Sequence, residues 1–78
     1  MIRHISFSSD ALEVLRRVDV IVTAHEDETG EMKEAIRAKL RADPGATLVF
    51  LEVKDRRLVC HCVVTGEKAH VSDIEVRN

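Results

Sequence analysis

The chain has 78 residues, which is enough for one small domain and too few for two. Hydrophobic residues make up 45% of it and charged residues 33%, which is ordinary for a globular protein and argues against a disordered chain. The net charge of −2 gives no bulk positive field that would attract nucleic acid or an anionic membrane. We therefore predict one small domain over residues 1–78.

The sequence lacks the features of a secreted or membrane protein. No apolar run approaches the ~20 residues that cross a bilayer, and the first residues lack the apolar core of a signal peptide. Cys60 and Cys62 are one residue apart, so in a strand their Cβ atoms are too far apart for a disulfide. We expect two buried thiols rather than part of a zinc site, no cofactor or metal, and a cytoplasmic protein without a membrane partner.

A strand and a helix are predicted at the start of the chain. Residues 2–8 alternate loosely and favour a strand, and the serines that follow supply helix-capping oxygens. Asp10 with Glu13 is close to a capping box, so a helix is predicted over 10–17. Residues 18–23 are dense in β-branched side chains and favour a second strand, with an extension of the first helix as the alternative.

A second helix follows a polar turn at residues 25–30. It is ended by Asp43-Pro44-Gly45, because proline cannot continue a helix. The period then changes to two, which predicts strands over 47–53, 58–64 and 69–76. The predicted class is α+β, a mainly antiparallel sheet with two helices on one face, in the order β-α-β-α-β-β-β. The apolar face of the second helix comprises Met32, Ala35, Ile36 and Leu40.

Turn positions predict the register of the last three strands. A turn centred on Asp55-Arg56 gives an apolar face that should lie under the helices. Continued through a turn at Gly66-Glu67, the register sends Asp73 to the buried face, which is costly without a partner. We therefore predict a β-bulge near residues 72–73 that returns Ile74 to the core. The predicted pairs are Val53–Leu58, Leu51–Cys60, Val49–Cys62, Val64–Ala69, Val63–His70 and Cys62–Val71.

The opposite face of these strands is also largely apolar. An antiparallel sheet with one wet face should alternate cleanly between apolar and polar residues, and these strands do not. Two short helices cover one side of a sheet, so we expect a second copy of the chain or a protein partner on the other. A few exposed apolar residues on an ordinary surface are the alternative. The predicted interface residues are Leu48, Phe50, Val59, His61 and Val63.

Two sets of residues are candidates for chemistry or for binding anions. The predicted register places Glu52, His61 and His70 on one diagonal, and these groups suit acid–base chemistry near neutral pH or a metal. The alternative is that the histidines lie at the rim of an interface. A basic stripe on the second helix suits a phosphate backbone, although Glu34 nearby makes a solvated face the preferred interpretation. The stripe comprises Lys33, Arg37 and Arg41.

Part of the chain resembles a known family. Residues 5–12, Ile5-Ser6-Phe7-Ser8-Ser9-Asp10-Ala11-Leu12, are similar to the opening strand and helix start of the RelE/ParE superfamily of toxins. A second helix ending at Pro44, followed by strands carrying Arg56-Arg57, also resembles that family. The resemblance implies a small α+β protein with two consecutive helices, of a kind that in some members cuts mRNA on the ribosome. It would give Arg57, His61 and His70 RNA-contacting or acid–base roles.

No phosphate loop, dinucleotide fingerprint or nucleophile elbow occurs in the sequence, which argues against a nucleotide-dependent enzyme. The function we predict is a non-enzymatic binding or regulatory module that acts as a homodimer or docks a partner on its second sheet face. The alternative is a small RNA-directed effector or nuclease-like toxin of the RelE/ParE type. Its catalytic residues would be Glu52, His61, His70 and Arg57.

Overall fold

The computed structural model describes residues 2–77 as a four-stranded sheet with two helices packed on one face. Across the sheet the strand order is β1-β4-β3-β2, with β1 parallel to β4 and the other pairs antiparallel. The predicted α+β class with a mainly antiparallel sheet is confirmed, and the order of the elements is as predicted except at residues 18–23. The elements are β1 (His4–Phe7), α1 (Ser9–Arg17), a 3₁₀ turn (Glu26–Thr29), α2 (Gly30–Ala42), β2 (Leu48–Val53), β3 (Arg56–Thr65) and β4 (Lys68–Arg77).

Residues 18–23 form neither a strand nor an extension of α1, so this prediction is wrong. Asp19 has a φ of 62°, which turns the chain back on the end of α1. The amides of Val20 and Ile21 then donate to the carbonyl of Leu15, at 2.9 and 3.3 Å. Both side chains are buried in the core. Two of the β-branched residues that favoured a strand thus fill the core from a loop whose amides are bonded locally, whereas Val22 is 79% exposed.

Ser8 caps α1 and also ties its start to the sheet. Its Oγ lies 3.0 Å from the amide of Ala11, which donates to it, and 2.7 Å from the carbonyl of Ser72, to which the hydroxyl donates. The predicted capping box does not form, because the N-cap is Ser8 rather than Asp10, and Glu13 pairs with Arg16. A serine cap of this kind stabilises a helix by about 1 kcal/mol.

The first hairpin turns one residue earlier than predicted. Lys54 and Asp55 alone form the turn, with φ of 50° and 64°, as a type I′ turn requires at both central residues. The register therefore differs from the predicted one by two residues, which keeps every side chain on its predicted face and changes every partner. The observed pairs include Val53–Arg56, Leu51–Leu58 and Val49–Cys60.

The second hairpin confirms the predicted register and the predicted bulge. Val64 pairs with Ala69, and the ladder shifts between Cys62 and His61, so that Ser72 is the extra residue. Ile74 consequently returns to the core, where it is 3% exposed, while Asp73 is exposed.

The core lies between the helices and the sheet face that they cover. Met32, Ile36 and Leu40 of α2 are buried as predicted, with Ala35 partly buried beside them. Cys60 and Cys62 are buried free thiols, and burial raises the pKa of both, that of Cys60 to about 12. They remain protonated at neutral pH and pack as small hydrophobic side chains. No helix within residues 2–77 is long and apolar enough to cross a membrane.

Candidate functional site on the second sheet face

The sheet face turned away from the helices, the second face, carries all the residues predicted for an interface and for catalysis. The alternation of side chains along the paired strands places them there, because their neighbours in sequence supply the core. These residues are Leu48, Phe50 and Glu52 from β2, Arg57, Val59, His61 and Val63 from β3, and His70 from β4.

The apolar part of the second face that stays open is narrower than the predicted interface. Leu48, Phe50 and Val63 are 42%, 60% and 58% exposed. Val59, by contrast, is 3% exposed, since it lies in the ladder between Phe50 on one side and Glu75 on the other. His61 is half-buried. The exposed apolar side chains therefore form a strip along β2, with Val63 of β3 beyond it.

The change in register separates Glu52 from the histidines. Glu52 lies opposite Arg57, which is four residues from His61 along β3. That spacing is ~13 Å at 3.3 Å per residue, too far for a shared proton or metal. His70 lies opposite Val63 and remains a diagonal neighbour of His61. The predicted three-residue diagonal is therefore not formed, although its two histidines stay close.

Each of the two histidines has a polar partner that the sequence analysis missed. His61 Nε2 lies 3.0 Å from Glu75 Oε1, and the other Glu75 oxygen lies 3.4 Å from an Arg77 nitrogen. The hydrogen bond from His61, and then that from Arg77, lowers the pKa of the Glu75 carboxyl. His70 Nδ1 lies 2.7 Å from Ser6 Oγ. A carboxylate hydrogen-bonded to an imidazole can orient it for a role as a general base.

The two missed partners differ in how well the sequence signalled them. Glu75 follows from the predicted bulge, because a strand that returns Ile74 to the core must turn the next side chain to the second face. Ser6 depends on the parallel pairing of β1 with β4, which brings it opposite His70. No local pattern in residues 4–7 indicates which strand they join. Within residues 2–77, the structure has no group of three or more acidic, histidine or cysteine side chains that could hold a metal.

A depression of about 410 Å³ lies beside Phe50 at the β2 edge of the sheet. Its lining includes the acidic residue Glu52 and three basic residues, Lys39, Arg57 and Arg77. The surroundings of the most exposed aromatic ring are thus net positive.

The outer backbone groups of β2 face away from the sheet. In a two-residue hairpin the pair that flanks the turn, Val53–Arg56, is hydrogen-bonded, and every second pair after it is as well. The alternation continues to Thr47, whose carbonyl accepts from Cys62 N at 2.8 Å. The N–H and C=O groups of Leu48, Phe50 and Glu52 therefore point outward. Among residues 2–77, no side chain hydrogen-bonds to them.

The basic stripe of α2 is not a row of free cations. Arg37 Nε donates to the carbonyl of Ile2 at 3.1 Å, and its guanidinium also pairs with Glu34. Lys33 is half-buried, and Arg41 lies at the edge of a separate cleft. Arg37 thus joins α2 to the first residues of the chain, and its charge is offset by that of Glu34.

Comparison of the chain with protein-family models, with curated proteins and with solved structures gives no match.

Proposed function

We propose that this protein is a non-enzymatic binding module that acts as a homodimer, formed by antiparallel pairing of β2 with the β2 of a second copy. One observation carries the proposal: two of the three β2 residues with unpaired outer backbone groups also expose apolar side chains. Leu48 and Phe50 have both properties. Edge pairing satisfies the backbone groups and places the apolar side chains of the two copies side by side.

A two-fold axis at Phe50 gives a consistent ladder. Phe50 then faces the Phe50 of the second copy, and Leu48 of each copy faces Glu52 of the other. All of these residues have outward N–H and C=O groups, so each facing pair exchanges two hydrogen bonds. The sheet of the dimer would be continuous across both copies.

The charges around the apolar strip disfavour the other way of forming a dimer, in which two second faces stack. Asp73, Glu75, Arg57 and Arg77 are exposed on or beside that face. Stacking would remove these charges from water, at a cost of several kcal/mol for each unpaired ion. Edge pairing leaves them in solvent.

The test is the solution mass by size-exclusion chromatography with light scattering, using refractive-index detection because the chain has no Trp or Tyr. We expect a mass near twice the monomer's 8.8 kDa. Phe50→Glu places two carboxylates directly opposite each other at the two-fold axis and should yield the monomer. Val63→Glu is the matched control, since Val63 is as exposed as Phe50 but lies off β2, and this variant should remain a dimer.

Two outcomes would contradict the proposal. A wild-type protein that stays monomeric at high concentration would show that β2 tolerates solvent. Dissociation by both substitutions would show that the stacked second faces, not the edges, form the interface.

A second candidate, an RNA-directed effector, is favoured by the surroundings of Phe50. An exposed aromatic ring beside Arg57 and Arg77 suits base stacking with phosphate contacts, and the His61–Glu75 pair supplies a base. Two consecutive helices, with no strand between them, also agree with what the RelE/ParE resemblance implies.

Cleavage of a labelled single-stranded RNA tests this candidate. His61→Ala and Glu75→Gln should each lower the cleavage rate by about 10²-fold or more, the usual contribution of an acid–base group. His25→Ala is the control, because His25 is exposed and lies outside the second face. Wild-type protein that neither cleaves RNA nor shifts it in a binding gel would dismiss the candidate.

A further inference from the structure

A cleft of about 370 Å³ lies on the helix side of the sheet, between the last turns of α2 and the β3–β4 turn. Its volume is at the small end of the ~300–1,000 Å³ range of ligand sites. The cleft is separate from the second face and contains none of the interface residues. Its walls are apolar, with two guanidinium groups, and include Ile2, Leu40, Pro44, Val64, Arg37 and Arg41.

Arg37 is held in place before any ligand arrives. Its Nε–H donates to Ile2 O and one further N–H group pairs with Glu34, which uses two of the five donors of a guanidinium. The side chain is 21% exposed. A guanidinium fixed by the protein loses little conformational freedom when it binds an anion, which favours affinity.

The charges of the two guanidinium groups at the cleft are largely offset by the carboxylates of Glu34 and Asp43. Glu34 offsets the charge of Arg37, whereas Arg41 has no ion-pair partner within residues 2–77. The nearby Glu67 carboxylate lies 3.5 Å from Arg3 and is paired with it. Asp43 is the other acidic residue close to the cleft, and it is exposed beside Pro44.

We propose that this cleft binds a small monocarboxylate with an apolar body, of the kind that a medium-chain fatty acid represents. The carboxylate would lie against Arg37 and Arg41, whose planar forks match its geometry, and the apolar chain against Ile2, Leu40 and Val64. With Glu34 and Asp43 close by, the cleft has little net positive charge, which suits a monoanion better than a dianionic phosphate. The cleft contains no residue of β2, the strand of the proposed dimer contact, and does not depend on that contact.

The experiment is a titration of the protein with octanoate below its micelle concentration, followed by amide chemical shifts. We expect saturable shifts at Leu40, Val64 and Gly66, which surround the cleft. Arg41→Gln should weaken octanoate binding by about tenfold, the usual effect of a lost charge-assisted hydrogen bond. Lys39→Gln is the matched control in the same helix turn, since Lys39 does not line this cleft, and it should bind octanoate like the wild type.

Octanol and octyl phosphate determine whether the carboxylate is recognised. Octanol should bind at least about tenfold more weakly than octanoate if the guanidinium groups contribute. Equal binding of octanol, or tighter binding of octyl phosphate, would overturn the proposal of a carboxylate site. Shifts that do not saturate, or that map to the second face, would overturn the proposal of a site in this cleft.

Discussion

The two edge strands of the sheet, β1 and β2, differ in how their backbone groups are covered. On β1, the amide of Phe7 donates to a carboxylate oxygen of Glu26 at 2.6 Å, and just before the strand the carbonyl of Ile2 accepts from Arg37. Both partners come from distant parts of the chain. On β2, the outward groups of Leu48, Phe50 and Glu52 have no such partner within residues 2–77.

The comparison indicates which edge of the sheet is blocked from pairing with another chain. β1 has four residues, and both of its buried side chains face the core. β2 has six residues, with no proline and no bulge, and one charged side chain, Glu52. Edges are usually blunted by charge, brevity or a covering side chain, and β1 has two of these three features. The open edge at β2 is therefore the feature to test.

Glu26 should have the largest effect on stability. Glu26→Ala removes the acceptor of the Phe7 amide, and we expect the free energy of unfolding to fall by about 1.5–3 kcal/mol, the range for hydrogen bonds to charged groups. Glu26→Gln keeps a neutral acceptor and should lose roughly half as much. Urea unfolding followed by circular dichroism measures both, in the Phe50→Glu background so that dimer formation does not contribute.

Asp27→Ala is the control for this series, because Asp27 is adjacent and exposed. It should change the free energy of unfolding by no more than about 0.5 kcal/mol. If Glu26→Ala were no more destabilising than Asp27→Ala, the covering of β1 by Glu26 would be energetically irrelevant and the contrast between the edges would fail.

Glu28 should have a smaller effect that depends on pH. Hydrogen bonds from the Thr23 hydroxyl and from the amides of Val22 and Thr23 lower the pKa of its carboxyl to about 2. Because the pKa in the folded state is depressed, the stabilisation is present above the unfolded value of about 4.3 and is lost as the pH falls toward 2. Unfolding measured from pH 6 to pH 2 should show a larger loss in the wild type than in Glu28→Gln. The carboxyls of Glu13 and Glu75, whose pKa values are lowered by hydrogen bonds from Arg16 and from His61, contribute equally to both proteins.

Asp27→Asn serves as the control for the acid series and should leave the pH dependence close to that of the wild type. A wild type and a Glu28→Gln variant with parallel curves over this pH range would show that Glu28 does not hold residues 22–23. The segment between α1 and α2 would then need another explanation for its fixed path.

The alternation of side chains along the strands and the residue types at the turns explain which parts of this structure could be predicted from the sequence. The faces of β2, β3 and β4 were predictable because a strand alternates strictly, and the bulge at Ser72 was predictable because Asp73 had to leave the core. The turn at Lys54-Asp55 was not, since two residues other than glycine adopt positive φ there without an Asn-Gly or Asp-Gly signal. The observed register differs by two residues from the predicted one, and Glu52 therefore lies away from the histidines of the predicted site.

Segment 18–23 shows a second limit of pattern analysis. Val20 and Ile21 are as β-branched and as buried as strand residues. Their loop differs from a strand in the left-handed conformation of Asp19 and in the bonding of both amides to the carbonyl of Leu15, neither of which a residue pattern indicates. The pairing of β1 with β4 lies beyond local pattern as well, because it depends on how the helices cross the sheet. The Ser6–His70 contact on the second face follows from that pairing.

Hydrogen exchange of the amides along β2 tests the open edge most directly, because it compares inward and outward amides of the same strand in the unchanged fold. The amides of Val49, Leu51 and Val53 bond within the sheet and should be protected in both the wild type and the Phe50→Glu variant. The amides of Leu48 and Glu52 point outward and should be slowed by about tenfold or more only in the wild-type dimer, where the second copy accepts from them. Fast exchange at Leu48 and Glu52 in a wild-type protein of dimeric mass would mean that the copies meet elsewhere. Slow exchange that persists in Phe50→Glu would mean that β2 is covered by its own chain, and the difference between the two edges would disappear.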